Sequence, residues 1–198
     1  MHRRFLTLLG LVLLPLLPAS AQRTPADIRA LLEGRDRQVK TVLGSRTTFT
    51  PEQRTQLATL INGVIDFEAM GERALGATWA TLTPAQRSQF VTTFAEIVRN
   101  QSLSDLGIYR AQVRYGDITV NGNTAVARTT TTHRGATARV DYNLVWKGGE
   151  WRVTDISIDG VSTADGYARS FGQVVRQRGF PALMQALNRR LAQQRARG

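Results

Sequence analysis

The chain has 198 residues, of which 42% are hydrophobic and 21% charged, and its formal net charge is +11. It contains no cysteine, which excludes thiolate nucleophiles, cysteine-ligated zinc and iron–sulfur clusters. A positive surplus of this size attracts polyanions, either nucleic acid or acidic membrane surfaces.

Residues 1–21 read as a secretory signal peptide. Arg3 and Arg4 form the positive start, Phe5 to Leu17 is an apolar run too short to span a bilayer comfortably, and Ala19-Ser20-Ala21 has the small-x-small form of a cleavage site. With Arg3 and Arg4 removed, the net charge falls from +11 to +9. Residues 22–198 then suit one domain with its own core. Export directs this domain to the periplasm, which argues against nucleic acid as a partner, and a monomer is expected.

One device opens three helices. Thr24-Pro25-Ala26-Asp27, Thr50-Pro51-Glu52-Gln53 and Thr83-Pro84-Ala85-Gln86 each offer Thr as N-cap and Pro as first helical residue. Asp or Gln then stands where a capping box or a close variant places its third residue. The first helix carries an apolar stripe of Ile28, Leu31, Leu32, Val39, Val42 and Leu43. The second carries Leu57, Leu60, Ile61, Val64 and Ile65. A short third segment holds Phe67, Met70, Ala74 and Leu75, ending at Gly76. The fourth runs from Pro84 through Phe90, Phe94, Ile97 and Val98, and is expected to reach Leu106.

After Gly107 the period changes to two. Val113, Tyr115, Ile118 and Val120 predict a strand with an irregularity near Gly116, and Asn121-Gly122 predicts a hairpin. Thr124 to His133 is β-branched but lacks the look of a buried strand. Val140, Tyr142, Leu144 and Trp146 share one face of a third strand. After Gly148-Gly149, Trp151 to Ile158 returns as a fourth, with a shift of phase near Asp155 that predicts a bulge. The tail is helical again: Tyr167, Phe171, Val174 and Val175 form a stripe ended by Gly179, and Pro181 opens a last helix. The order predicts an α+β fold, a four-stranded antiparallel sheet packed against a bundle of helices.

Groups suited to catalysis are few. His2 leaves with the signal peptide, so His133 is the single histidine of residues 22–198, and it stands beside Arg134-Gly135 in an expected turn. There is no H-E-x-x-H, no calcium-loop pattern and no G-x-S-x-G elbow. Asp66 and Glu68, or Asp155 and Asp159, would pair for acid–base work. Yet Asp66 suits a helix cap and Asp159-Gly160 suits a turn. The expectation is no catalytic residue, no metal and no enzyme. The rival from another class is an enzyme on a cone-like α+β scaffold using His133 with Asp155 or Asp159. What remains is a sheet with one apolar face and more amphipathic helices than it needs. Incomplete closure of the two layers leaves an apolar cleft, the default place for a ligand; complete closure leaves a filled core.

Two ordered blocks carry a resemblance. The first is Ile65-Asp66-Phe67-Glu68-Ala69-Met70, Arg73-Ala74-Leu75-Gly76, Trp79 and Thr83-Pro84-Ala85-Gln86-Arg87, continued by Phe90 and Phe94. The second is Tyr142-Asn143-Leu144, Gly149-Glu150-Trp151-Arg152-Val153-Thr154-Asp155, Gly160-Val161-Ser162, Tyr167 and Phe171. Over residues 60–180 the chain resembles the MlaC family, the toluene-tolerance auxiliary proteins of an ABC transport system. It departs at Gly166, where the family usually has a polar or charged residue, and at Gln101-Ser102-Leu103, where the family often has a tyrosine.

The resemblance implies a periplasmic phospholipid carrier, with lipid as cargo and no cofactor. Its implied partners are an inner-membrane ABC transporter bearing MCE domains and an outer-membrane lipoprotein–porin complex. A different apolar cargo, such as a hopanoid or quinone, is the alternative. Inward-facing positions supply the expected lipid-binding residues: Val140, Tyr142, Leu144, Val153 and Ile156 on the sheet, and Phe67, Met70, Phe94, Val98, Val161, Tyr167, Phe171 and Val175 on or beside the helices.

Overall fold

The computed structural model describes residues 23–196. The expected signal peptide, residues 1–21, lies outside them. Helix α1 (Pro25–Leu43) and helix α2 (Pro51–Asn62) begin on the Thr-Pro device, each with a reciprocal capping box. Helix α3 (Phe67–Leu75) starts on Asp66, whose carboxylate accepts the Ala69 N–H at 3.0 Å. A five-residue helix that the pattern does not announce, α4 (Ala77–Thr81), buries Trp79. Helix α5 (Pro84–Ser102) again opens on a capping box, from Thr83 to Gln86. In each box the threonine hydroxyl accepts one orphan N–H while the third residue's side chain accepts another.

Helix α5 stops at Ser102, short of the expected Leu106. The hydroxyls of Ser102 and Ser104 donate to the carbonyls of Arg99 and Gln101, a local alternative that competes with further helix. Asp105 then caps a single 3-10 turn at Leu106–Arg110.

Strands β1 (Gln112–Asn121), β2 (Thr124–His133), β3 (Ala136–Lys147), β4 (Glu150–Ile158) and β5 (Val161–Ser162) form one antiparallel sheet in that order. The sheet has five strands where four were expected. Asp159 and Gly160 both take positive φ, 49° and 82°, the backbone of a two-residue hairpin turn. This turn brings Val161 and Ser162 back beside Ile158 and Ser157 before the last helix begins. Register shifts between Tyr115 and Ile118 on β1, and opposite Asn143–Leu144 on β4, place both expected irregularities.

Strand β2 is a correction. It runs between β1 and β3, and Ala125, Ala127 and Thr129 are buried on its inner face. Its core positions are small, so a search for large apolar side chains passes over them.

The last helix, α6 (Thr163–Arg195), is broken at Gly179, where φ is 79° and ψ 167°. Pro181 follows, so the break divides the tail into the two helical pieces its sequence predicts. Three apolar clusters fill the molecule. Leu144, Trp151 and Val153 of the sheet meet Ile28 and Leu32 of α1. Phe90 and Phe94 of α5 meet α3 and α6. Val39, Leu43 and Leu57 join α1 to α2 above Leu106. No described helix is long and apolar enough to cross a membrane.

Candidate functional site

Between the sheet and the first two helices the layers do not close. A cavity of about 210 Å³ lies there. The segment after α2 sets one edge of it: Val153 donates to the Val64 carbonyl and Asp66 donates to the Val153 carbonyl, both at 2.8 Å. Residues 64–66 therefore run parallel to β4 and hold Val64 and Ile65 against the cavity. Leu32 and Val39 from α1 form the roof, Leu60 and Ile61 from α2 one side, and Val98 from α5 the end. Val113, Tyr115, Tyr142, Val153 and Ile156 form the floor on the sheet. Arg35 and Asp36 stand at the rim.

Three tyrosines make this apolar space unusual. Tyr109, Tyr115 and Tyr142 all line it and all are half-buried. Burial raises each hydroxyl's pKa because the phenolate loses hydration. Tyr142 is pushed up to about 12 by burial first, then by Tyr109 and the Asp36 carboxylate. Tyr115 is pushed up by burial, with further contributions from Asp36 and Tyr142. Burial raises Tyr109 too, partly offset by the Ser102 hydroxyl. The phenols thus stay protonated throughout the physiological range and can donate hydrogen bonds. On the same wall the Asn62 amide donates to the Ala58 carbonyl and the Ser102 hydroxyl, while its Oδ1 is buried without a protein partner.

The expected lipid-binding residues fall in different places. Val98, Tyr142, Val153 and Ile156 come together around the cavity. Leu144 is buried beneath α1 in the sheet cluster, two residues along β3 from Tyr142. Met70, Phe94 and Phe171 belong to the α3–α5–α6 cluster, with Tyr167 and Val175 packed against it. There Phe94 lies edge-on to Tyr167 at 5.0 Å between ring centres. Phe67 is buried under the Arg99 guanidinium. Val140 is half-buried opposite Ile158, and Val161 is 61% exposed beside it.

The α1 and α2 residues around the cavity, with Tyr109, Val113 and Tyr115, are absent from the expected set. The stripes holding Leu32, Val39, Leu60 and Ile61 are legible, but nothing in a stripe says whether it faces filled or empty space.

Two carboxylate clusters tie the elements that frame the cavity. Asp155 is fully buried. It accepts the Ser162 hydroxyl and the backbone N–H groups of Ile156 and Ala164, the last two at 2.9 and 3.0 Å. Arg73 of α3 approaches it at 3.5 Å and makes a two-point pair with Asp165 at 2.8 and 2.9 Å. One buried charge therefore links β4, the start of α6 and α3. The second cluster joins the Lys147 ammonium to Asp66 and Glu68 at 3.0 and 3.1 Å. Burial alone would raise the Asp66 pKa, but the Ala69 N–H and the Lys147 contact outweigh it and hold it below the usual carboxylate range.

In Asp66 and Asp155 these bonds engage both carboxylate oxygens. His133 ends β2 at the Arg134-Gly135 turn, pairing with Ala136, whereas Asp159 accepts the Arg139 N–H at 2.8 Å. At the position where the resemblance departs, Gln101 accepts the Tyr167 hydroxyl at 2.6 Å. No group of three or more metal-ligating side chains occurs among the described residues.

Comparison with curated proteins gives no match. Among solved structures, the chain resembles a phospholipid-binding protein from Ralstonia solanacearum, determined in complex with a phospholipid. The two share 23% identity over 85% of this chain and 97% of that one, with a TM-score of 0.70, a likeness that establishes the fold. The family model described as MlaC protein matches residues 36–189, from the middle of α1 into the last turns of α6. The chain belongs to the MlaC family.

Proposed function

We propose that this protein is a periplasmic phospholipid carrier and not an enzyme. It takes lipid between an outer-membrane lipoprotein–porin complex and an inner-membrane ABC transporter with MCE domains. The observation that carries the reading is the apolar cavity between the sheet and α1, α2 and α5. Membership of the MlaC family and the phospholipid held by the Ralstonia protein of the same fold support it. Residues 1–21 supply the export signal, and lipid is cargo, with no cofactor involved.

A carrier answers a solubility problem. Each methylene of an acyl chain brought out of water is worth about 0.8 kcal/mol, so a two-chain lipid crosses an aqueous space slowly unless its tails are covered. Val98, Tyr142, Val153 and Ile156 of the expected set, joined by Leu32, Val39, Leu60 and Ile61, provide that cover. The cavity has a volume of about 210 Å³. Two acyl chains need more, so loading moves α1 and α2 away from the sheet. The cluster of Phe90, Phe94, Phe171 and Tyr167 in the α3–α5–α6 layer stays in place.

The test is a transfer assay. Donor vesicles with fluorescent phospholipid and unlabelled acceptor vesicles are mixed with the protein, without contact between the two membranes. Transfer that rises in proportion to protein concentration is expected. Transfer at the protein-free rate, with no lipid bound in solution, would overturn the reading.

A further inference from the structure

The geometry points to a polar collar at the cavity, formed by Tyr109, Tyr115, Tyr142 and Arg35, that binds the ester and phosphodiester oxygens of a phospholipid. It rests on the carrier reading and adds a chemical selectivity to it. A slot for hydrocarbon alone needs no hydrogen-bond donors, and a buried tyrosine hydroxyl ordinarily finds a partner. The Tyr167 hydroxyl does, at Gln101. The hydroxyls of Tyr115 and Tyr142 make no hydrogen bond to protein among the described residues and are not sealed from solvent, and Tyr109 lies near the Ser102 hydroxyl and the Asp105 carboxylate. Tyr142 contributes to the upward shift of Tyr115, and Tyr109 to that of Tyr142. They form one cluster of donors along the 3-10 turn, β1 and β3.

Arg35 supplies the charge. On α1, Glu33 pairs with Arg29 and Arg37, and Asp36 pairs with Lys40 at 2.8 Å. That arrangement leaves Arg35, on the cavity rim, without a carboxylate partner among the described residues. A guanidinium presents parallel N–H groups that match two phosphate oxygens. The Asp36 carboxylate on the same rim opposes an anion, but Lys40 neutralises it. Donors that bind ester carbonyls, followed by a cation that binds phosphate, reproduce the order of groups along a phospholipid from tail to head. A hopanoid hydrocarbon offers no acceptor to this collar.

The experiment uses lipid-stripped protein and two comparisons: a fluorescent-tailed phosphatidylglycerol against diphenylhexatriene, a hydrocarbon with no acceptor, and the same phosphatidylglycerol against the matching diacylglycerol. For the double variant Tyr115→Phe/Tyr142→Phe, the affinity ratio of phospholipid to hydrocarbon is expected to fall about tenfold. The loss of two net hydrogen bonds carries a change of that size. For Arg35→Gln, the preference for phosphatidylglycerol over diacylglycerol is expected to fall about tenfold. Equal losses for both probes, or no loss for either, would overturn the collar while leaving the carrier reading intact. Wild-type protein that takes up the hydrocarbon but no phospholipid would overturn the carrier reading itself. Displacement of phosphatidylglycerol by inorganic phosphate at tens of millimolar would reassign Arg35 to a free-anion site and overturn its place in the collar.

Discussion

Replacing Asp155 with alanine tests whether the frame around the cavity hangs on one buried charge. The carboxylate is fully buried and receives one O–H and two N–H groups, with Arg73 at 3.5 Å. Its removal leaves the Ala164 N–H without its acceptor. It also frees the Ser162 hydroxyl, which accepts the Asp165 N–H and so caps α6. Arg73 is 46% exposed, so solvent screens its share, and the hydrogen bonds dominate. Breaking a buried charged network of this kind costs about 3–5 kcal/mol. With a urea m-value of about 2 kcal/mol/M, the midpoint falls by roughly 2 M, and Tm by roughly 10 °C. Asp155→Asn keeps the acceptor for the two N–H groups and should lose less. Urea titration followed by circular dichroism measures both. A loss below about 1 kcal/mol for Asp155→Ala, with lipid transfer abolished, would refute the structural role and favour a chemical one.

Three further outcomes follow from the same geometry. The Asp66 carboxyl is held below the usual range, so its contribution to stability is present above the unfolded pKa of about 3.9 and lost as pH falls through the folded value. Asp66→Asn keeps the cap on α3, so the urea midpoint of the variant should fall less than wild type between pH 7 and pH 3; parallel curves would contradict the assignment. Val98→Trp narrows the cavity from its α5 end, and bound lipid per mole of purified protein should drop several-fold while the protein still folds cooperatively. Phe171→Ala removes a ring edge-on to Phe90 and Phe94 at 5.9 and 6.0 Å. It should cost about 3–5 kcal/mol, and loss of lipid without loss of stability would instead put Phe171 at the ligand.

Local chemistry made much of the fold readable. The Thr-Pro caps work through side-chain groups within three residues, so α1, α2 and α5 begin where their sequences place them. Asn121-Gly122 and the phase change near Asp155 mark a turn and a bulge by the same short-range logic. What failed to show depends on distance. The interior place of β2 is set by its neighbours, and its Ala125, Ala127 and Thr129 carry no apolar signature of their own. Strand β5 is two residues long, too short for any periodicity.

The cavity was the least legible feature. Leu32 and Leu43 look alike in the α1 stripe, yet Leu32 borders open space and Leu43 packs against Leu57 and Leu106. Asp155 illustrates the opposite ambiguity, because a carboxylate beside a strand bulge fits both a catalytic and a structural role until its three donors are seen.

The most direct measurement is mass spectrometry of lipids extracted from the protein purified after secretion into a periplasm, with its molar amount determined alongside. The account predicts phospholipid near one mole per mole, reduced in Val98→Trp and retained in wild type after washing in high salt, since the tails are held by burial and not by surface charge. Protein free of phospholipid under those conditions, or carrying only a quinone or hopanoid, would contradict it.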